Sequence, residues 1–237
     1  MKTVKEYYDE IGWTKQKGRY VDTLMFTSEK GERYKRACND RLKEMIGNSD
    51  LLLDIGCGAK PFNSNAKKQL CVDFSITAIQ EAKKNKPNGF FVLADITCLP
   101  FKNDSVTDTL SLHTIYHIHK DKQKSAIEEI KRVTKKKCYV VYNAGKHAVI
   151  VNILTLPLQL WNWSEKRMNP NSKRKVYFYA HGYKWLEQFG RIETHRLLNE
   201  NGIKLYNRLL WLVSRVETYF PKHSYHPLLV IDKGEKQ

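Results

Sequence analysis

A chain of 237 residues, 41% of them hydrophobic, is long enough for one α/β domain with a real core and short for two; its composition excludes disorder throughout. Lysine and arginine (41) outnumber aspartate and glutamate (25), and the net charge of +16 admits either a phosphate-bearing partner or a compositional bias toward lysine. No apolar stretch reaches the roughly 18 residues needed to span a bilayer, and Met1–Glu6 leads into polar residues without a signal-peptide pattern, so a cytoplasmic protein is expected.

The first 45 residues carry Tyr7, Tyr8, Trp13, Tyr20 and Phe26 among charges, with no strand pattern. Then comes Leu51-Leu52-Leu53-Asp54-Ile55-Gly56-Cys57-Gly58, an apolar run ending in a carboxylate and two glycines. The run reads as a short buried strand, and the glycines let the backbone turn tightly against a ligand. Nineteen residues after Asp54, Leu70-Cys71-Val72-Asp73 repeats the pattern. Phe90-Phe91-Val92-Leu93-Ala94-Asp95 repeats it again, and Thr109-Leu110-Ser111-Leu112-His113 reads as a fourth strand. Ala126 to Val133 spaces Ile127, Ile130 and Val133 for one helix face, and Cys138-Tyr139-Val140-Val141-Tyr142 is a fifth strand. Strands alternating with helices predict a parallel sheet with right-handed crossovers. Ligands of such sheets collect at the carboxyl ends of the strands, where Asp54, Asp73, Asp95 and His113 fall.

Two strand-end carboxylates around a glycine turn describe a nucleoside site. A dinucleotide would want G-x-G-x-x-G, but position 61 is Pro61, and Asp54 would repel a pyrophosphate. A cationic ligand would welcome Asp54, and S-adenosylmethionine carries an ammonium and a sulfonium without phosphate. On Asp54, Gly56 and Gly58 the chain resembles the class I S-adenosylmethionine-dependent methyltransferases, whose motif runs D-x-G-x-G-x-G; Lys60 stands where the third glycine would be. The loop of Leu99-Pro100-Phe101 and Asp104–Asp108 matches that family too, and the resemblance covers about residues 45–145.

The resemblance implies a Rossmann-like fold: a mostly parallel seven-stranded sheet with an antiparallel last strand and helices on both faces. It implies that Asp54 sits near the methionyl ammonium and that Asp73, followed by Phe74, takes the ribose hydroxyls. Asp95 would accept the adenine amino group, Ile96 would pack on the ring, and His113 would stand at the strand end that faces the methyl donor. Residues 1–45 would form an N-terminal helical lid, 46–145 the cofactor core, 146–185 an insertion over the substrate, and 186–237 the closing helix and strands. The tail, with Glu217-Thr218-Tyr219-Phe220-Pro221-Lys222 and Tyr225-His226-Pro227-Leu228-Leu229-Val230-Ile231, resembles methyltransferases of bacterial polysaccharide and natural-product gene clusters.

The acceptor is read as a small molecule or glycan, through a hydroxyl, with RNA methylation and a non-catalytic S-adenosylmethionine-binding protein as the alternatives. Methyl transfer to a hydroxyl needs alignment and can use a base. His113 and His117 follow the fourth strand and are the candidate bases; for each, a structural role is the competing reading. His119 is expected to be exposed, and His181 is a further candidate if the insertion folds over the site. The densest cationic run, Lys120 through Lys137, is expected on the outer wall away from the site, as a solvated face. Residues 148–175 combine apolar residues, two tryptophans and then cations, which suits a substrate lid, a dimer contact or a peripheral membrane contact; Pro157 should split any helix there. Cysteines 38, 57, 71, 98 and 138 form no C-x-x-C pair and no metal spacing, so reduced thiols and no metal are expected.

Overall fold

The computed structural model describes residues 3–16, 18–21, 28–160 and 177–234. Phe26, Trp161, Trp163 and the cations at 166–175, singled out above, lie outside the described residues. In chain order the elements are α1 (Val4–Tyr7), continued by a π-helical turn over Tyr8–Gly12, the hairpin strands β1 (Lys15–Gln16) and β2 (Arg19–Tyr20), α2 (Glu29–Ile46), β3 (Leu51–Ile55), β4 (Lys68–Asp73), α3 (Ile76–Asn85), β5 (Phe90–Leu93) and β6 (Val106–Leu112). Then follow α4 (Lys120–Val133), β7 (Thr134–Val141), α5 (Val149–Leu154), α6 (Tyr183–Glu187), β8 (Arg191–Arg196), α7 (Glu200–Leu205), α8 (Leu210–Val216) and β9 (His226–Asp232).

Seven strands form one sheet in the order β5-β4-β3-β6-β7-β9-β8. The pairs β5/β4, β4/β3, β3/β6 and β6/β7 are parallel. β9 inserts antiparallel between β7 and β8, as expected of the last strand. The strand order reverses between β3 and β6, which places a topological switch point at their carboxyl ends.

The central strands are apolar because both faces are covered. Along β3 the side chains alternate: Leu52 joins Leu42 and Ile46 of α2 on one face, while Leu53 and Ile55 join Ile127 and Ile130 of α4 on the other. Helix α4 is amphipathic as expected, burying Ala126, Ile127, Ile130 and Val133. It begins at Lys120, earlier than the apolar spacing marks, because its first turn is polar and carries no periodic signal.

Two expectations need correction. The first 45 residues are not helical throughout: a small antiparallel hairpin pairs Lys15 with Tyr20. Helix α2, placed with the lid by sequence, instead covers the sheet, with Tyr34, Cys38, Leu42 and Ile46 buried. Ser28 caps its start by accepting from the Gly31 amide, and Gly47, at φ 61°, ends it. In the insertion, α5 stops at Leu154 and helix resumes at Leu156, the break expected beside Pro157.

Candidate functional site

A cavity of about 370 Å³ opens over the carboxyl ends of β3, β4 and β6, and all nine residues singled out by sequence line it: Asp54, Gly56, Gly58, Asp73, Phe74, Asp95, Ile96, His113 and His117. The switch point brings them together although they span 64 positions of sequence.

The floor is the turn after β3. Gly56 and Gly58 take φ of 69° and 57°, the left-handed region that favours glycine. A Cβ on Gly56 would stand 2.1 Å from Thr114 Oγ1, and one on Gly58 would stand 2.6 Å from the Trp13 ring, so both positions are closed to larger residues. The amides of Gly56 and Cys57 donate to the Val72 carbonyl at 2.7 and 3.1 Å and pin the turn to β4.

Two carboxylates are buried in this floor. Asp54 accepts the Phe62 amide at 2.8 Å and Gln69 Nε2 at 3.0 Å, both on Oδ2. Burial pushes its carboxyl up to about 6, opposed by the Phe62 amide and the Lys86 ammonium. Asp73 accepts the Ser75 amide on Oδ1 and the Gly58 amide on Oδ2, each at 2.9 Å. Burial pushes it up to about 6 as well, against those amides. A desolvated carboxylate of this kind gains from a cation or hydroxyls that arrive with a ligand. Asp95 differs: it is exposed, past the end of β5, and its Oδ1 accepts the amide and the hydroxyl of Thr97, each at 2.8 Å. Ile96, beside it, is buried and joins the core.

The N-terminal segment covers the floor. Tyr8 stacks on Trp13 at 5.4 Å between centroids, and Tyr8 meets the edge of Phe74 at 6.4 Å and of His117 at 6.2 Å. Sequence offered these aromatics only as a group; what selects Tyr8 and Trp13 is their anchorage. Ser75 Oγ donates to Asp9 Oδ1 at 2.6 Å, Thr77 Oγ1 to the Asp9 carbonyl at 2.8 Å, and Tyr20 Oη to Glu81 at 2.8 Å. The segment is thus tied to α3.

The wall is histidine. His113 takes φ 59° just after β6, rare for a residue with a Cβ. Its ring lies 4.7 Å from His226 and 6.1 Å from His195, edge to face. Burial, then the Arg196 charge, holds His113 and His226 well below 6.5, and His195 is pushed down to about 3. Arg196 Nη2 donates to His226 Nε2 at 2.6 Å, which places the His226 proton on Nδ1. Sequence reasoning passed over Arg196, His195 and His226, since nothing local marks residues that β8 and β9 carry to the β6 end.

His117 sits on the turn of Ile115–His117. Its Nδ1 lies 2.8 Å from the Tyr177 carbonyl, and since a carbonyl only accepts, the proton is on Nδ1 and Nε2 is the acceptor nitrogen. Burial lowers its pKa, opposed by that hydrogen bond. His119 is exposed, as expected, beside Asp121. His181 does not reach the cavity; it stacks on Trp185 at 4.0 Å. The cationic run is not wholly on the outer wall: Lys122, in the first turn of α4, lines the cavity with Lys60. The expectation failed because a helix that follows β6 starts at the ligand end of the sheet.

Comparison with known proteins agrees with this architecture. Residues 53–142 match the methyltransferase domain family. An uncharacterised protein of Methanocaldococcus jannaschii is 30% identical over 133 residues, 56% of this chain and 47% of that protein. The chain therefore spans about half the length of that curated relative. A Haloferax volcanii chain described as a methyltransferase, solved with the Trm112 methyltransferase activator, superposes with a TM-score of 0.55 at 15% identity, covering 88% of this chain and 93% of its own. A Methanococcus maripaludis structure described as an S-adenosyl-L-methionine-dependent methyltransferase gives a TM-score of 0.52 at 13% identity, covering 92% and 90%. These two structures show the shared fold. The family match covers residues 53–142, less than half of the chain, and the fold shared with the two structures extends beyond it.

Proposed function

We propose that this chain is an S-adenosylmethionine-dependent methyltransferase that methylates a hydroxyl of a small-molecule or glycan acceptor, with His117 as the base. The observation that carries the reading is the fixed tautomer of His117 at the cavity: Nδ1–H is committed to the Tyr177 carbonyl, so the nitrogen left for a proton is Nε2. Burial keeps the ring neutral, the form in which it accepts a proton.

The cavity residues fit S-adenosylmethionine. Asp54 offers a buried carboxylate to the ammonium, and Asp73 offers two oxygens to the ribose diol, a bidentate task. Phe74 and Ile96 supply apolar faces for adenine, and the exposed Asp95 an acceptor for its amino group. Gly56 and Gly58 hold the left-handed turn of the floor, which a side chain at either position would disrupt. The cofactor supplies a methyl group on a sulfonium, an electrophile that needs no metal. This chain's residues orient the acceptor, exclude water and take its proton. Tyr8 and Trp13 cover the site, and His113 packs against His226 as part of its wall. The tail's resemblance to enzymes of polysaccharide and natural-product clusters supports a glycan or small molecule over RNA.

The test is turnover of His117→Ala and His113→Ala with a panel of hydroxylated acceptors. His117→Ala should lose on the order of 10²-fold in kcat with intact binding of S-adenosylhomocysteine. Near-native kcat would remove the base and leave catalysis to proximity alone. Tight, strongly salt-dependent RNA binding with RNA methylation would replace the acceptor.

A further inference from the structure

Helix α5 buries Ala148, Val151 and Thr155 and turns Val149, Ile153 and Leu154 outward. Helix α8 buries Leu210 and turns Trp211, Leu212 and Val216 outward. Ile153 is 64% exposed, Trp211 59%, and Tyr219, in the turn after α8, 79%. The segments on either side of α8 both reach α5. Tyr206 Oη donates to the Leu154 carbonyl at 3.0 Å, and α5 packs beside the turn of Pro221–His223. Single exposed apolar residues are ordinary on a protein surface, but a group of this size on adjoining elements marks a contact surface.

Charge selects what it contacts. Residues 143–160 and 201–216 contain no aspartate or glutamate and carry Lys146, Lys204, Arg208 and Arg215. The acid that follows them, Glu217, is fully buried and held by Tyr34, Arg41 and the Leu197 amide. Aliphatic and aromatic groups fringed by cations match the boundary between headgroups and acyl chains of an anionic bilayer, where the apolar groups enter and the cations meet lipid phosphates. A second copy of this chain would bring the same cations against themselves. No helix among the described residues is long and apolar enough to cross a membrane, so the contact is with the surface.

We propose that the α5–α8 face docks this enzyme on the surface of an anionic phospholipid bilayer. The inference is independent of the acceptor and of the base. The 237-residue chain is sedimented with vesicles of phosphatidylcholine alone and with vesicles of phosphatidylcholine and phosphatidylglycerol in equal amounts, at low and high salt. The native chain should partition to the anionic vesicles on the order of 10-fold better, and salt should weaken that preference. Ile153→Asp combined with Trp211→Asp should lose on the order of 10-fold in partitioning while binding S-adenosylhomocysteine as the native chain does. Lys204→Glu with Arg208→Glu, both exposed, is the second variant and should lose the anionic preference. The proposal is overturned if native protein stays in the supernatant, if both vesicle types pellet it equally, or if both variants pellet like the native chain. A native dimer that Ile153→Asp with Trp211→Asp makes monomeric, without vesicle binding, would assign the face to a second copy and overturn it too.

Discussion

On the β3–β4 side of the switch point, the buried carboxylates of Asp54 and Asp73 each accept backbone amides within 2.9 Å. On the β6–β9–β8 side, the Nδ1 atoms of His113 and His195 are buried with no described partner. Burial acts on both sides and drives each toward its neutral form, upward for the acids and downward for the histidines. The consequences differ. The acid side has amides that favour the anion, and burial still drives both carboxyls upward, so a ligand that meets them would complete it. The histidine side settles as a neutral wall, with Arg196 charge nearby making protonation costlier. On the proposed function, a cationic cofactor would meet the first side and a neutral acceptor the space between.

The largest expected break in this contrast is Asp73→Ala. Calorimetry should show affinity for S-adenosylhomocysteine falling on the order of 10²-fold, as two charge-assisted hydrogen bonds are lost. Unchanged affinity would remove Asp73 from the site. Next comes Gly56→Ala. Its Cβ meets Thr114 and its φ of 69° is left-handed, so thermal unfolding should report a loss of roughly 2 kcal/mol or more. A Tm equal to the native value would mean that Thr114 yields freely.

A smaller effect is expected with pH, and its sign separates the two sides. The folded values of Asp54 and Asp73, about 6, stand above the unfolded carboxylate value, so the ligand-free protein gains stability from them at low pH and loses it as pH rises through about 6. A cation that needs the ionised acid runs the other way. Affinity for S-adenosylhomocysteine should fall roughly ten-fold between about pH 7 and about pH 5 for each carboxylate that must ionise. The buried histidines have depressed values, so their stability contribution is present above the unfolded histidine range and lost on acidification. A pH-independent affinity over this range would show that neither acid meets the cation.

The smallest effect expected is at His226. His226→Leu removes the acceptor of Arg196 and should cost about 1–2 kcal/mol in unfolding experiments, with cofactor affinity near native. A strong loss of cofactor affinity in a folded variant would make the histidine wall part of the binding site and erase the contrast.

The local signals along this chain are periodicity and turn chemistry, and both are written in short stretches. Leu51–Gly58 announces a strand and a left-handed turn because two glycines must follow an apolar run there, and Asp73 and Asp95 announce themselves as strand-end acids in the same way. That much determined the fold class, the ligand end of the sheet and the nine residues that line one cavity. Other features depend on what tertiary structure sets side by side. The hairpin at Lys15–Tyr20 is too short to carry a pattern, and α2 shows its sheet-covering role only once Leu42 and Ile46 meet Leu52. Trp13 lies over Gly58, Tyr177 fixes the tautomer of His117, and His226 reaches His113 only because β9 inserts beside β7. The sequence by itself determined where strands end and which of those ends carry charge, because each is a local property of a few residues. Only the tertiary structure decided which acids become desolvated, which histidine has its acceptor nitrogen left over and which cations face the cavity, because burial and contact are set by segments far apart in the chain.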